Sequence, residues 1–224
     1  MVRTKPQRVT QKCKKNIRPA ALALLCLQTD NLNMIRNSSE PGYLAGQFLA
    51  AMPTMGDPRF DKSVIYICAH SEEGAMGIVV NQPLEELSFP DILEQMGIEP
   101  TPTCDSITVH CGGPVEAARG FVLHSSDYQM DGTLVVDDTV ALSATTEILK
   151  AIAYGTGPKQ SLMALGYAGW GAGQLDEEIK SNAWLNIPSD AALLWATEDD
   201  AKWDTALKNL GISPAMLVGE AGHA

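Results

Sequence analysis

No stretch of this chain approaches the roughly 18 to 20 consecutive apolar residues that a membrane-crossing helix requires. Cysteine is scarce too. The five residues present (Cys13, Cys26, Cys68, Cys104 and Cys111) are odd in number and show neither C-x-x-C nor any paired ligand spacing. That pattern excludes a disulfide framework and a closed zinc finger, and it fits a reducing cytoplasm. The common signatures of nucleotide binding and ester hydrolysis are missing as well: there is no G-x-G-x-x-G, no Walker loop with its lysine, and no G-x-S-x-G. No internal repeat or low-complexity tract occurs.

Basic charge is in short supply and unevenly placed. The formal net charge is −11, yet residues 1–33 hold seven basic residues against Asp30 alone, a balance of +6 that leaves −17 on Met34 to Ala224. So acidic a body repels phosphate backbones, which disfavours direct binding of nucleic acid by it. The basic N-terminal stretch precedes a short apolar run, Ala20 to Leu27, but no small-residue cleavage site follows, so it makes a poor export signal. Residues 1–38 read instead as a disordered basic extension or as a mis-assigned start ahead of Met34, and residues 39–224 as one domain. At 45% hydrophobic residues over 224, the chain can bury a sizeable core.

Periodicity then orders the body. Ser63 to His70 is β-branched and aromatic almost without interruption, as in a strand buried on both faces; Ser71-Glu72-Glu73-Gly74 supplies a turn, and Gly77 to Asn81 resumes the apolar run. Upstream, Pro53, Gly56 and Pro58 mark an irregular loop with Asp57 and Arg59 at its tip. Ser88 caps a short helix that Gly97 ends. Ile107 to Cys111 and Gly120 to His124 suggest a second hairpin with a wide connection. Thr133 to Val136 is a further short strand, and Ser143 is a candidate cap for a helix running to Gly155. Ser161 to Tyr167 reads as a buried strand leading into the loop Gly169-Trp170-Gly171-Ala172-Gly173. A helix from Gln174 to Asn182, an extended Trp184 to Ile187, and a helix capped by Thr197 and closed by Gly211 complete the chain. Strands and helices mix without regular βαβ spacing, so the class is α+β.

Several chemistries can be weighed on these placements. The glycine loop stands between a strand and a helix, a setting that can bind phosphate, but Asp176, Glu177 and Glu178 already occupy the helix start and would repel it. His110 and Cys111 are neighbours on a strand and point to opposite faces, so they cannot pair. His110 and His124 facing each other, or Cys68 with His70 on one face, could begin a metal site, but no further ligands follow at a recognisable spacing. His124-Ser125-Ser126-Asp127 is contiguous, which suits turn chemistry better than a hydrolytic triad. No catalytic residue is assigned, and no cofactor or metal is expected. What remains is a polar set in constrained loops, Asp57, Arg59, Asn81, His124, Gln174, Glu178 and Asn182, with Trp170, Tyr167 and Trp184 as possible flooring; these form a candidate ligand or partner groove, although Asp and Asn also satisfy turn backbone.

Three long motifs in order, DPRFDKSVIYICAHSEEGAMGIVVNQP, CGGPVEAARGFVLHSSD and GYAGWGAGQLDEEIKSNAWL, resemble the bacterial YqgE/AlgH family from about Leu44 to His223. The resemblance implies an α+β domain with a mixed, bifurcated β-sheet folded into a pseudo-barrel with flanking helices. Members have been called transcriptional regulators, and the family has no agreed catalytic residues. The expected function is a non-enzymatic regulatory or interaction domain whose partner is an unidentified protein or small molecule. An enzyme or a small-ligand or nucleotide-binding protein of unknown reaction is the alternative.

Overall fold

The structure is a computed structural model, and it describes residues 43–217. The basic extension, 1–38, and the last residues, 218–224, lie outside them. The strands are β1 (Phe48–Ala51), β2 (Val64–Ser71), β3 (Gly74–Val79), β4 (Val109–Cys111), β5 (Val115–Ser125), β6 (Leu134–Val135), β7 (Val140–Ser143), β8 (Ser161–Gly171) and β9 (Trp184–Ile187). The helices are α1 (Phe89–Gln95), α2 (Thr146–Ala153), α3 (Gln174–Lys180), α4 (Ala191–Trp195), α5 (Asp199–Asn209) and α6 (Pro214–Leu217), with 3-10 turns at Pro58–Phe60 and Pro102–Ser106. The α+β class stands.

One mixed sheet runs in the order β6-β7-β5-β8-β3-β2-β1-β9, with β4 also on β8. The long strand β8 divides it. Its first half pairs with β5 antiparallel (His124↔Ser161 to Gly120↔Leu165) and with β4 parallel (Val109↔Met163 to Cys111↔Leu165). Its second half pairs with β3 (Gly77↔Ala168 to Gly74↔Gly171). This is the bifurcated, curled sheet that the resemblance implied. The chain crosses closely where the two arms part: a Cβ on Gly113 would stand 2.2 Å from the Tyr167 carbonyl carbon, and the φ of +150° there is one that side chains rarely adopt.

Buried side chains form three clusters. Phe48, Tyr66, Ile78, Phe121 and Leu123 line one side of the sheet beneath α4 and α5, which contribute Leu193, Trp203 and Leu207. Val109, Val122, Met163 and Leu165 pack against Phe89 and Ile92 of α1 and Ile148 and Leu149 of α2. Leu49, Ile65, Ile67, Trp170 and Trp184 meet Leu175 of α3. Along β2, Val64 and Tyr66 face the first cluster while Ile65 and Ile67 face the third, which is why this strand carries no polar alternation.

Several local expectations are confirmed. The β2–β3 hairpin forms, and Ser88 makes a reciprocal capping box with Asp91 at the start of α1. Others need correction. The second hairpin does not form, because β4 lies parallel to β8 instead of beside β5; its other edge meets the segment around Pro83, where the Cys111 amide donates to the Gln82 carbonyl at 2.8 Å and the Leu84 amide to the Val109 carbonyl at 2.7 Å. The glycine stretch is largely strand, since β8 continues through Gly171. Ser143 closes β7, and the residue that flanks α2 is Thr145. The cap position of α5 belongs to Glu198, while the Thr197 hydroxyl donates to the Ala192 carbonyl. Strand β1 lies in a stretch to which no element was assigned from the sequence, because its apolar run of four gave no period to read.

Candidate functional site

Three of the predicted groove residues come together at the junction of β8, α3 and β9. Gln174 and Glu178, four apart on α3, stand one turn above each other. Glu178 Oε2 accepts from the indole N–H of Trp170 at 2.9 Å and from that of Trp184 at 2.8 Å. Its Oε1 accepts from Gln174 Nε2 at 2.8 Å, and Gln174 Oε1 accepts from the Gly171 amide at 3.1 Å. The two indoles meet edge to face with centroids 6.0 Å apart, and Phe60 of the 3-10 turn packs edgewise on Trp184 at 5.5 Å. Both tryptophans are buried, so one carboxylate satisfies two indole donors that water does not reach. A carboxylate has about four acceptor sites. Three are occupied here.

His70 borders this cluster. Its Nδ1 accepts from the Leu44 amide at 3.2 Å, and its Nε2 lies 4.0 Å from Asp176 Oδ2. Burial pushes its pKa down, outweighing the upward pull of Asp176. The expected Cys68–His70 pairing fails for a geometric reason. The register between β2 and β3 shifts between Ile67 and Ala69, so the strand bulges at Cys68. Cys68 faces the first cluster, while His70 sits opposite Ala75 on the side of α3.

The other predicted residues serve the backbone. Asp57 caps the 3-10 turn by accepting from the Arg59 amide and also binds the Arg59 guanidinium, whose pKa it raises. Asn81 accepts from the Val64 amide at 2.8 Å and donates to the Lys62 carbonyl at 2.9 Å. Asn182 lies two residues past the end of α3 with φ 59°, a left-handed position that asparagine tolerates. Gln82, not foreseen, fastens the loop through Ser63 Oγ and the Arg59 carbonyl.

His124 lies apart, fully buried between β5 and β7. It does not meet His110: His124 sits opposite Ser161 and His110 opposite Ala164 on β8. Its Nδ1 is 3.0 Å from the Ser125 carbonyl and its Nε2 3.0 Å from Ser143 Oγ, which in turn is 2.8 Å from Thr133 Oγ1. Burial lowers the His124 pKa against the opposing influences of the Ser125 carbonyl and Asp127. Ser125 and Asp127 contact each other within a turn, as their adjacency suggested.

Sequence reasoning missed a charged cluster altogether. Lys202 of α5 is buried and donates to Asp199 Oδ1 at 2.7 Å and to the Val80 carbonyl at 3.0 Å, while Asp199 Oδ2 lies 3.0 Å from His110 Nε2. Burial drives the Asp199 carboxyl upward, but the bonds and charges of His110 and Lys202 outweigh it and hold its pKa below the usual range. His110 Nδ1 is buried with no hydrogen-bond partner among the described residues. The available signal was Lys202 itself, which stands beside Trp203 on the apolar side of its helix. Cys68 and Cys104 are buried, and burial pushes the Cys68 thiol pKa well up, away from a reactive thiolate. Among the described residues no group of three or more His, Cys, Asp and Glu could hold a metal, and no helix is long and apolar enough to cross a membrane.

Comparison with known proteins covers most of this architecture. The AlgH-like family profile matches residues 48–215. A UPF0301 protein of Rhodospirillum rubrum is 61% identical over 183 residues, which is 82% of this chain and 95% of that protein. A UPF0301 protein of Bradyrhizobium diazoefficiens is 53% identical over 194 residues, 83% and 91% of the two chains. The solution structure of the AlgH protein from Pseudomonas aeruginosa superposes with a TM-score of 0.69 at 43% identity, over 84% of this chain and all of that one. A crystal structure of a Corynebacterium diphtheriae protein, 18% identical with a TM-score of 0.64, covers 84% of this chain and 96% of its own and shares the fold.

Proposed function

This chain belongs to the AlgH-like family, and from that premise we propose that it is a regulatory or interaction domain acting through surface contacts with another protein. One observation carries the reading. The polar atoms of the Trp170–Gln174–Glu178 junction are already bonded to one another, which leaves recognition to the face around them. That face is acidic on balance: Asp176 and Glu177 are exposed on α3, where Lys180 pairs with Glu177 at 2.9 Å, and the β2–β3 turn, with exposed Glu72 and Glu73, adjoins it through the Gly74↔Gly171 pair. A partner of basic surface is the complementary chemistry, and such charge steers association more than it sets affinity. The acidic body argues against direct contact with DNA, so a regulatory role runs through protein.

The test is quantitative affinity capture from the native host with wild-type protein and with the variant Asp176→Lys/Glu177→Lys, both checked for equal thermal stability. The expected result is one protein enriched by the wild type and depleted with the charge-reversed variant. Equal recovery of the same proteins by both refutes this surface as the contact.

A further inference from the structure

Three histidines lie among the described residues, all of them buried, and they differ in what an added proton would meet. Nε2 of His110 lies 3.0 Å from the Asp199 carboxylate, which accepts from the ring in either charge state. At His124, Nδ1 faces the Ser125 carbonyl, so Nε2 of the neutral ring accepts from Ser143 Oγ. A hydroxyl can turn and accept instead, so a proton on that Nε2 still finds a partner. His70 has no such latitude. Its Nδ1 faces the Leu44 amide at 3.2 Å, and a backbone N–H can only donate. The neutral ring therefore carries its proton on Nε2. A second proton, on Nδ1, would set two donors against each other at a residue that is 3% exposed.

The surroundings supply an alternative partner. Nε2 lies 4.0 Å from Asp176 Oδ2, beyond hydrogen-bond reach but close enough for attraction between charges. Asp176, in the first turn of α3, is the charged group that faces the ring. From the other elements, Ala75 of β3 stands opposite in register, and the Tyr43 ring meets the imidazole edge to face at 5.1 Å. Glu72 and Glu73 on the β2–β3 turn, and Glu177 on α3 with its partner Lys180, are exposed. What the Leu44 bond secures is the entry to β1. Leu44 also packs on the third cluster, and its carbonyl accepts from the Gln47 amide at 3.0 Å. The Gly46 amide donates to the Ile67 carbonyl at 2.9 Å, so from Gly46 onward the chain is anchored without His70.

We propose that His70 is a proton-operated latch: neutral, it holds the Leu44 amide on Nδ1; protonated, it gives up that bond, turns its charge on Asp176 and frees Tyr43 and Leu44 at the entry to β1. One proton is taken up from solvent at Nδ1, and no covalent bond changes. The direction in pH follows from linkage. The latched ring resists protonation because it is buried, so the latch is complete above about pH 6.5, the ordinary value for imidazole, and weakens as the pH falls below it. Asp176 acts in the opposite sense, since it attracts the cation and brings the transition to a higher pH than burial alone would give. Protonation also offsets one negative charge on the acidic face where a partner is proposed to dock. That consequence rests on the surface role above, whereas the latch belongs to the isolated chain.

Nuclear magnetic resonance of the full-length protein tests the latch without a partner. At about pH 8 the ring-nitrogen shifts of His70 should show its proton on Nε2, and those of His124 a proton on Nδ1. Hydrogen exchange is then followed down to about pH 5, with each rate corrected for intrinsic exchange. Protection of the Leu44 amide should fall by up to about tenfold per pH unit below about pH 6.5, while that of the Gly46 amide holds. His70→Asn places an amide oxygen where Nδ1 stands, so Leu44 should stay protected throughout. Asp176→Asn should move the transition to lower pH. A His70 ring protonated on Nδ1 at about pH 8, a joint fall of Leu44 and Gly46, or a transition that survives in His70→Asn overturns the latch. A transition that Asp176→Asn leaves in place overturns the exchange of partners.

Discussion

Glu178 offers the sharpest test of how the α3 junction is held. Replacing it with alanine strands the indole N–H groups of Trp170 and Trp184, which are 7% and 3% exposed, and also releases Gln174, which is exposed and can turn to water. Each stranded buried donor costs about 1–3 kcal/mol, so Glu178→Ala is expected to lose about 3–5 kcal/mol. Glu178→Gln keeps one oxygen for both indoles and loses only charge, while setting an amide N–H group against Gln174 Nε2, a cost of about 1 kcal/mol. With a urea dependence of about 2 kcal/mol per molar, the midpoint should fall by about 1.5–2.5 M for alanine and about 0.5 M for glutamine, with the slope unchanged. Far-ultraviolet circular dichroism is the suitable probe, because the substitution itself perturbs tryptophan fluorescence. Equal small shifts in both variants would refute the reasoning, since they would mean that the indoles find other acceptors.

Two other expectations follow from buried titratable groups. Burial lowers the pKa of both His70 and His124, so the unfolded chain takes up their protons near pH 6.5 while the folded chain resists; stability is complete above about pH 6.5 and falls below it by up to about 1.4 kcal/mol per pH unit for each histidine, until the folded-state pKa is passed. Unfolding free energies measured from pH 8 to pH 5 check this, and a flat profile contradicts it. Lys202→Met keeps the buried stem but takes the cation from Asp199 and the donor from the Val80 carbonyl, costing about 3 kcal/mol; adding Asp199→Asn should recover part of the loss, and no recovery in the double variant would contradict the coupling.

The sequence was legible where a residue's role is set by its near neighbours. The two-faced burial of β2 could be read from Val64 to Cys68, and the cap of α1 from Ser88 ahead of the helix. Gln174 and Glu178 stood in the same candidate set and are four apart on α3, but the bonds from Trp170 and Trp184 to Glu178 could not be read from spacing. What could not be read were matters of strand order. Placing β4 beside β8 depends on the crossover near Gly113, a tertiary fact that leaves no period in Ile107 to Cys111. The bulge at Cys68 likewise reversed the face of His70, because one extra residue shifts every later side chain across the sheet.

The same limit explains why the buried polar groups were hidden. Ser143 read as a helix cap and His124 as part of a contiguous turn, and only the antiparallel register of β5 and β7, with Val122 opposite Ser143, brings them together on one face. The three buried polar constellations then differ in what they can do. Glu178 is an acceptor surrounded by donors, so no proton in it has anywhere to go. The His110–Asp199–Lys202 cluster is pinned by opposite charges, and moving a proton within it would leave a buried ion without its counterpart. The Ser143–His124 chain is closed on itself, since each of its buried polar groups meets a partner and neither residue reaches solvent.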